Sequence, residues 1–403
     1  MKAAATGSPA RPANWAGLGD TLLLALAPLV ALGFTRFAYA LLLPGMQQSL
    51  GWTLSQAGAL NTANAVGYLA GALAAPWLAR RWGLRRCFGA SLWASAAALL
   101  ASAWPSDWHG FLALRALGGV STAAAFVLGT ALAPRAMPQR PTTAMALYFA
   151  GSGAGMLLAG RVAVNWIGGG GEGWRQAWLA IGVLAAAAAW AGAAGAARLP
   201  ASAKADGRGG APRAWARLLA PTLLANALYG MGYVGYSTFI IALLRQQGYG
   251  SHAAALFFGT LGVASMLASG AWGGWLARQR GGRGFACVSA CVALGIVPVL
   301  CSSSLPALAA SALVFGASFM AGPAAVSVVA HRALPPSLMA SGAGALTALF
   351  SLGQAAGPVL TGWVADASGS LAIALWSGPV LLLLGAGVGW LQREGRAVQG
   401  TCS

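Results

Sequence analysis

The sequence predicts an all-α membrane protein with about twelve transmembrane helices in two six-helix parallel repeats. Apolar segments of roughly 20 residues recur along the whole chain of 403 residues. A basic nine-residue motif occurs twice, about half a chain length apart. The composition is 58% hydrophobic and only 7% charged, which excludes an ordinary soluble globular protein.

Each apolar segment is long enough to cross the hydrocarbon core of a bilayer as a helix. Hydropathy places the spans at 21–44, 55–79, 84–104, 110–133, 142–164, 175–197, 216–244, 252–277, 284–303, 306–330, 340–366 and 371–391. The connections are short, so little chain is left for a soluble domain. The predicted order is a cytoplasmic tail, an N-terminal half, a cytoplasmic linker, a C-terminal half and a second cytoplasmic tail, at 1–20, 21–197, 198–215, 216–392 and 393–403.

The two halves are predicted to be copies of one another, because motifs recur at a nearly constant offset. Trp-Leu-Ala-Arg-x-x-Gly-x-Arg starts at Trp77 and again at Trp275, an offset of 275 − 77 = 198. Gly-x-x-Arg-x-x-Tyr at 33–39 matches Gly-x-x-Tyr-x-x-Tyr at 230–236, at an offset of 197. The same offset of 197 relates Arg135 and Arg332. An even number of spans per half keeps both copies in one orientation, so they form parallel repeats about an axis along the membrane normal.

The net charge of +18 indicates membrane topology rather than nucleic-acid binding. With the N-terminus in the cytoplasm, 19 of the 24 basic residues fall in the tails, the linker and the cytoplasmic loops. Arg161, Arg175 and Arg245 fall outside. This asymmetry follows the positive-inside rule, so we expect both termini in the cytoplasm. The partner of the basic surface is then the lipid bilayer and not a nucleic acid.

The first copy of the nine-residue motif, within 76–86, resembles the signature loop of the major facilitator superfamily. Further stretches that resemble this superfamily are Arg115 with Gly119, Gly353-x-x-x-Gly357-Pro358 and, for its YbfB/YjiJ-type branch, 33–37 and 229–233. The resemblance covers essentially the whole chain. It implies a monomeric secondary active transporter, a permease of the bacterial plasma (inner) membrane. Such a carrier needs no cofactor and moves a small molecule by alternating access.

One departure concerns the signature loop, where the family's aspartate position holds Arg80. In the family that carboxylate helps latch the halves together, and an arginine cannot make the same ion pair. We expect the two nine-residue loops to control conformational switching rather than substrate recognition. The residues assigned to this role are Arg80, Arg81, Gly83, Arg85, Arg278, Gly281 and Arg283.

The remaining reactive side chains exclude most catalytic chemistry. The six acidic residues and three histidines lie at or beyond the ends of the predicted spans. A buried carboxylate is a common proton relay in carriers, and none is predicted at a helix centre. The five cysteines have no paired spacing, so we expect no metal site. There is no nucleophile–base pair and no phosphate loop, which favours a carrier over a membrane enzyme.

Arg36 is the most informative residue for function, because it lies about 12 Å inside the outer end of span one. A guanidinium at a helix centre costs about 2.5–3.5 kcal/mol, so it should face the protein interior. Arg115 lies inside span four, and Asn61, Asn64 and Tyr68 share one face of span two. In the fold of the superfamily these spans surround a central cavity. We therefore expect the two guanidiniums and Asn64 to meet at one wet site.

Two interpretations of the arginines stand at this point. Either water and backbone carbonyls solvate them, or they bind an anionic substrate whose carboxylate or phosphate fits the guanidinium fork. In the second half, Tyr229, Tyr233 and Tyr236 share one stripe of span seven, and Gln354 lies in span eleven. These residues either bind the substrate or pack the helices.

The sequence thus predicts a carrier of a small organic solute with an anionic end. The alternatives are efflux of neutral or cationic compounds, and a nontransporting receptor on the same fold. A channel fits less well, because two copies of one half favour a rocking carrier.

The predicted topology can be tested by labelling single cysteines in intact cells. Cysteines placed within 200–212 and in both nine-residue loops should react only after the membrane is permeabilised, because basic loops stay in the cytoplasm. Labelling of the 200–212 segment from the outside alone would overturn the orientation.

Overall fold

The computed structural model describes residues 15–167, 172–200, 218–334 and 339–394, and within these ranges the chain forms twelve long helices. In chain order they are α1 Leu18–Leu50, α2 Leu54–Trp82, α3 Leu84–Ala101, α4 Trp108–Ala136, α5 Pro141–Ile167, α6 Gly173–Arg198, α7 Ala220–Gln246, α8 Ser251–Leu276, α9 Arg283–Cys301, α10 Leu305–Ala333, α11 Met339–Ser368 and α12 Leu371–Trp390. Most of the predicted linker lies outside the described residues.

The predicted all-α membrane fold is confirmed. Ten of the described helices are long and apolar enough to cross a membrane. The other two, α2 and α3, are more polar for identifiable reasons. Helix α3 has only 18 residues, and these include Arg85 and Arg86 of the signature loop. Helix α2 carries two asparagines in the half nearer its N-terminus.

The largest difference from the predicted spans is at the end of α1. The prediction ended this span at Pro44, but the helix continues through the proline to Leu50, where Gly51 adopts φ of 67°. Leu43 and Met46 on either side of Pro44 are fully buried. Their packing outweighs the single backbone hydrogen bond that the proline cannot donate.

Local sequence signals explain several helix boundaries. Thr53 and Gln56 form a capping box at the start of α2, and the Asp107 carboxylate accepts from the Gly110 amide at 2.7 Å at the start of α4. Gly83 and Gly281, in the two nine-residue loops, have φ of 92° and 55°. Only glycine adopts such angles without strain, so the repeated glycine of the motif shapes the turn between two helices.

The middle of α1 is a π-helical segment, Leu29–Phe37, and all nine of its residues are buried. The Thr35 hydroxyl donates to the Val30 carbonyl at 3.0 Å, five residues earlier. π-helical turns are rare and occur frequently at functional sites. Arg36 projects from the last turn of this segment, so the unusual backbone and the unusual buried charge coincide.

Glycines let α5 pack closely against α1 in the first half, and glycines likewise let α11 pack closely against α7 in the second half. A Cβ added at any of these glycines would overlap a backbone carbonyl of the facing helix. The glycine–carbonyl pairs are Gly151 with Ala25, Gly155 with Leu29, Gly353 with Ala227, and Gly357 with Met231. The same packing therefore occurs in both halves, as the repeat predicts.

The contact between α2 and α4 offers a matched test of this close packing. A Cβ at Gly119 would overlap the Asn64 carbonyl, whereas a Cβ at Gly118 would lie 3.7 Å from the nearest atom, in the Thr35 side chain. Gly119→Ala should destabilise the protein by about 1–3 kcal/mol, while Gly118→Ala should change little. Melting temperatures in detergent measure both, and equal effects would contradict the packing.

Candidate functional site

The side chain of Arg36 joins the two halves in the middle of the membrane, and only 6% of it is exposed. Its Nη1 donates to the hydroxyl of Tyr233 in α7 at 3.1 Å, and its Nη2 donates to Oε1 of Gln354 in α11 at 2.7 Å. Gln354 Nε2 donates to the same hydroxyl at 2.6 Å, which closes a triangle of three side chains. The Tyr68 ring lies 5.9 Å from the Arg36 Cζ atom, within reach of a cation–π contact.

A second guanidinium, that of Arg115 in α4, is buried nearby and bonds within its own half. It donates to the Thr35 carbonyl at 2.5 Å and to Oδ1 of Asn61 at 3.2 Å. Its Cζ lies 4.4 Å from the centre of the Tyr39 ring. Asn61 continues the chain of bonds into the second half, since its Nδ2 donates to the Thr238 hydroxyl at 2.6 Å.

The two buried arginines have no carboxylate partner among the described residues. The described carboxylates are all used near the ends of helices: Asp20 with Arg198, Asp107 at the start of α4, Glu172 with Arg175, Asp366 at the start of α2, and Glu394 with Arg332. Asp206 lies outside the described residues. Neutral oxygens and aromatic rings therefore solvate both guanidiniums, and their positive charges are not balanced locally.

Aromatic rings separate the Arg36 triangle from a cavity between α7, α10 and α11, toward the end of the molecule where the nine-residue loops lie. This cavity has a volume of about 200 Å³ and polar groups from Asn226, Ser327, His331 and Thr347. Phe350 also lines it, and its ring stacks on Tyr233 with centroids 6.0 Å apart and planes 14° apart. A solute entering through this cavity would therefore meet Phe350 before it met Arg36.

The structure brings Arg36, Tyr68, Tyr233 and Gln354 together, as the sequence suggested for residues of one site. Arg36 and Tyr233 hold matching positions of the repeat, at an offset of 197, and they contact each other directly. Matching positions of two copies can meet only near the axis that relates the copies. The triangle thus lies at the centre of the contact between the halves.

Other predicted site residues make contacts inside one half. Asn64 donates to the Arg115 backbone carbonyl at 3.1 Å, which joins α2 to α4. The Tyr229 hydroxyl donates to the Phe319 carbonyl at 2.6 Å. The hydroxyls of Tyr236 and Ser311 lie 2.8 Å apart. Among the described residues, Asn64 makes no hydrogen bond with either guanidinium, and its amide donates to a backbone carbonyl instead.

Sequence reasoning missed Thr238, Phe350 and Phe319. Thr238 is the second-half partner of Asn61, and the ring of Phe319 lies 6.2 Å from that of Tyr233. Phe350 precedes Gln354 by one helical turn on the same face, which is the signal that could have identified it. Threonine and phenylalanine are common in membrane helices, so nothing in the sequence marks the other two.

Contacts between α2 and α11 close the side of the site opposite the nine-residue loops, which is the outer side in the topology predicted from the sequence. The Asp366 carboxylate accepts from the backbone amides of Leu54 at 3.2 Å and Ser55 at 2.8 Å, and also from the Ser55 hydroxyl. It therefore caps the N-terminus of α2 from the opposite half, where the helix dipole favours a negative charge. Deeper in the membrane, the Thr62 hydroxyl donates to the Ala355 carbonyl of α11.

The two nine-residue loops differ in how tightly they are held. In the first, Arg80 and Arg81 are exposed, and Arg85 donates to the Ala197 carbonyl at 3.0 Å at the end of α6. In the second, Arg278 is exposed and Arg283 lies over Trp390, with Cζ 5.6 Å from the ring centre. Within the described ranges, no hydrogen bond or ion pair joins Arg80 or Arg81 to the second half.

The sequence of residues 28–389 matches the family described as uncharacterised MFS-type transporter YbfB. The chain belongs to this family. The resemblance to the major facilitator superfamily is thereby confirmed over most of the chain. This YbfB-type protein is a multi-pass membrane protein of a transporter family, and its family and fold point away from an enzyme. No curated protein sequence matches it.

Solved structures of other transporters share the fold of this YbfB-type chain. The D-xylose–proton symporter aligns with a TM-score of 0.73 at 16% identity, over 93% of this chain and 98% of its own. A point mutant of the nucleoside transporter NupG aligns with a TM-score of 0.72 at 13% identity, over 93% of this chain and 97% of its own. A bacterial homolog of the human lysosomal transporter Spinster, in an inward-facing and occupied conformation, aligns with a TM-score of 0.70 at 14% identity, over 96% of this chain and 97% of its own. At these identities the likeness concerns the fold alone.

The outer closure can be tested with Asp366→Asn, which removes the charge from the cap on α2. We expect the outward-open population to increase about fivefold, corresponding to about 1 kcal/mol for the lost charge–dipole contact. Spin labels at Ser106 and Ser303, in outer loops of opposite halves, would report the change as a longer distance. Glu172→Gln, which removes an exposed carboxylate that pairs with Arg175 inside one half, is the control. Identical distance distributions for Asp366→Asn and the wild type would contradict a latch at this position.

Proposed function

We propose that this protein is a secondary active transporter of a small organic anion and that Arg36 binds the anionic group. The observation that carries the proposal is the buried, unbalanced charge of Arg36 at the contact between the halves. A guanidinium has five N–H donors, and two of them have partners among the described residues. The remaining donors and the uncompensated charge favour an anionic ligand over a neutral or cationic one.

The Arg36 triangle suggests how substrate binding is coupled to movement. Tyr233 and Gln354 offer neutral oxygens to the two terminal nitrogens of the guanidinium, the same nitrogens that a carboxylate binds with both of its oxygens. A carboxylate that takes their place gains charge-assisted hydrogen bonds. It also releases Arg36 from the second half, so binding changes the contact about which the halves rock.

The aromatic rings beside the triangle suit the apolar part of such a substrate. The ring of Tyr233 is tilted against Phe319 and stacked on Phe350, and Phe350 also lines the cavity between α7, α10 and α11. Ligand sites commonly combine an apolar wall with a few polar groups that fix orientation. We therefore expect a monocarboxylate or a similar anion with an apolar or hydroxylated body.

Arg115 has a different role in this proposal. It holds the Thr35 carbonyl in the π-helical segment and orients Asn61, so it positions the backbone from which Arg36 projects. We expect Arg115→Ala to lower stability and affinity together. Arg36→Ala should instead lower affinity with a smaller effect on stability.

A panel of ligands matched in shape but not in charge tests the substrate class. Benzoate and benzamide form one such pair, and succinate and succinamide form another. We expect a carboxylate of the panel, and not its amide, to raise the melting temperature of the purified protein and to be taken up by proteoliposomes. Stabilisation by amides or amines in preference to carboxylates would favour the neutral or cationic alternative. Binding without uptake would favour a receptor.

The role of Arg36 can be tested with the carboxylate that this panel identifies. Arg36→Ala should weaken its binding about ten- to a hundredfold, because a charge-assisted contact of about 1.5–3 kcal/mol is lost. Arg36→Lys should restore only part of the affinity, since lysine keeps the charge without the fork.

Tyr233→Phe and Tyr236→Phe provide a matched control for this test. Both remove one buried hydroxyl from α7, but only the Tyr233 hydroxyl belongs to the triangle. We expect Tyr233→Phe to change substrate affinity and Tyr236→Phe to leave it nearly unchanged. Uptake of the anion with wild-type affinity by Arg36→Ala would show that the anion-binding proposal is wrong.

A further inference from the structure

The two copies of the repeat differ at the cytoplasmic surface. Protein groups fill the space beside the nine-residue loop of the second half, whereas an open pocket lies beside the loop of the first half. In the second half, the guanidinium of Arg332 donates to the carbonyls of Ala277 and Gln279 in the nine-residue loop and lies 3.9 Å from a carboxylate oxygen of Glu394. The loop also packs on the end of α12, where Gly281 lies against the Gln392 carbonyl.

Among the described residues of the first half, the contacts that match those of Arg332 and Gly281 are missing. Arg135 holds the position that matches Arg332, at an offset of 332 − 135 = 197, and it has no hydrogen bond or ion pair with any described residue. The space around Gly83 is empty to 4 Å from an added Cβ. A pocket of about 230 Å³ lies here between the ends of α2, α4 and α6 and the start of α3.

The lining of this pocket is strongly basic. It includes Arg85, Arg86 and Arg135, and its described lining has no acidic residue. Arg86, like Arg135, has no hydrogen bond or ion pair with a described residue, whereas Arg85 already donates to carbonyls at the end of α6.

We infer that this pocket binds the phosphate group of an anionic phospholipid of the inner leaflet. Arginines suit phosphate because the guanidinium offers paired donors and a permanent charge. Basic pockets between membrane helices on the cytoplasmic side are the usual form of a lipid headgroup site. The phosphate would supply to Arg135 the negative charge that Glu394 supplies to Arg332, and the acceptor oxygens that the loop carbonyls supply in the other half.

The position of the pocket favours a lipid over a soluble phosphate. Trp82 lines the pocket and is 57% exposed, and Trp77, one turn earlier in α2, is 54% exposed. Their rings contact each other with centroids 6.1 Å apart. Exposed indole rings at the end of a membrane helix are typical of the headgroup layer. A lipid whose phosphate enters the pocket can therefore lay its glycerol and upper chains against these rings.

Native mass spectrometry of the full-length protein with phosphatidylglycerol and phosphatidylcholine of identical chains tests the inference. We expect the wild type to retain phosphatidylglycerol preferentially. The double variant Arg86→Gln/Arg135→Gln should bind it at least about tenfold more weakly. The matched control, Arg278→Gln/Arg280→Gln, removes two exposed charges from the loop of the other half, so it should lose less than about threefold.

Comparison of the two double variants distinguishes binding in this pocket from a general attraction of anionic lipid to the basic cytoplasmic face. Equal losses in both variants would overturn the inference, and so would equal binding of the two lipids by the wild type. If the double variant fails to fold, Arg135→Gln alone should still weaken binding about threefold or more, and unchanged binding would overturn the inference. Inorganic phosphate should not displace phosphatidylglycerol. Displacement by millimolar phosphate would overturn the lipid assignment and indicate a soluble phosphate ligand.

Discussion

The burial of the Arg36 guanidinium in the middle of the membrane is the constraint on which the rest of the site depends. An arginine at this depth costs about 2.5–3.5 kcal/mol unless the protein solvates it. Here the solvating groups, Tyr233 and Gln354, belong to the opposite half. Stabilising the charge therefore requires the two halves to meet at this point. An anion that takes the place of Tyr233 and Gln354 on the guanidinium would change that contact.

Close helix packing makes this arrangement possible. Glycines of α5 and α11 lie directly on the backbones of α1 and α7, which places the two helices that carry Arg36 and Tyr233 at corresponding depths in their halves. Neighbouring contacts are made by single hydrogen bonds, such as Asn61 with Thr238 and Asp366 with the start of α2. Each bond of this kind contributes about 1 kcal/mol, so the outer closure can form and break in a transport cycle.

The two copies keep a common scaffold and differ in the side chains that they place on it. At the centre, an arginine in one copy meets a tyrosine in the other. At the end of the molecule that carries the nine-residue loops, Arg332 is satisfied by protein groups, while Arg135 lines an open basic pocket. The two proposed binding sites therefore both lie where the repeat is broken. A perfectly symmetric chain would have two like charges at the axis and no complementary pair.

The sequence alone determined the all-α membrane class, the helix positions to within a few residues, the parallel repeat and the choice of Arg36 and Tyr233 as candidates. These follow from hydropathy, motif offsets and the cost of a buried charge, which are properties of local sequence. The tertiary structure alone decided which groups meet Arg36, since Gln354 lies 318 residues away along the chain. It also showed that Asn64 bonds a backbone carbonyl and that Phe350 covers Tyr233. Periodicity identifies the face of a helix, but only the packing of all the helices decides what that face contacts.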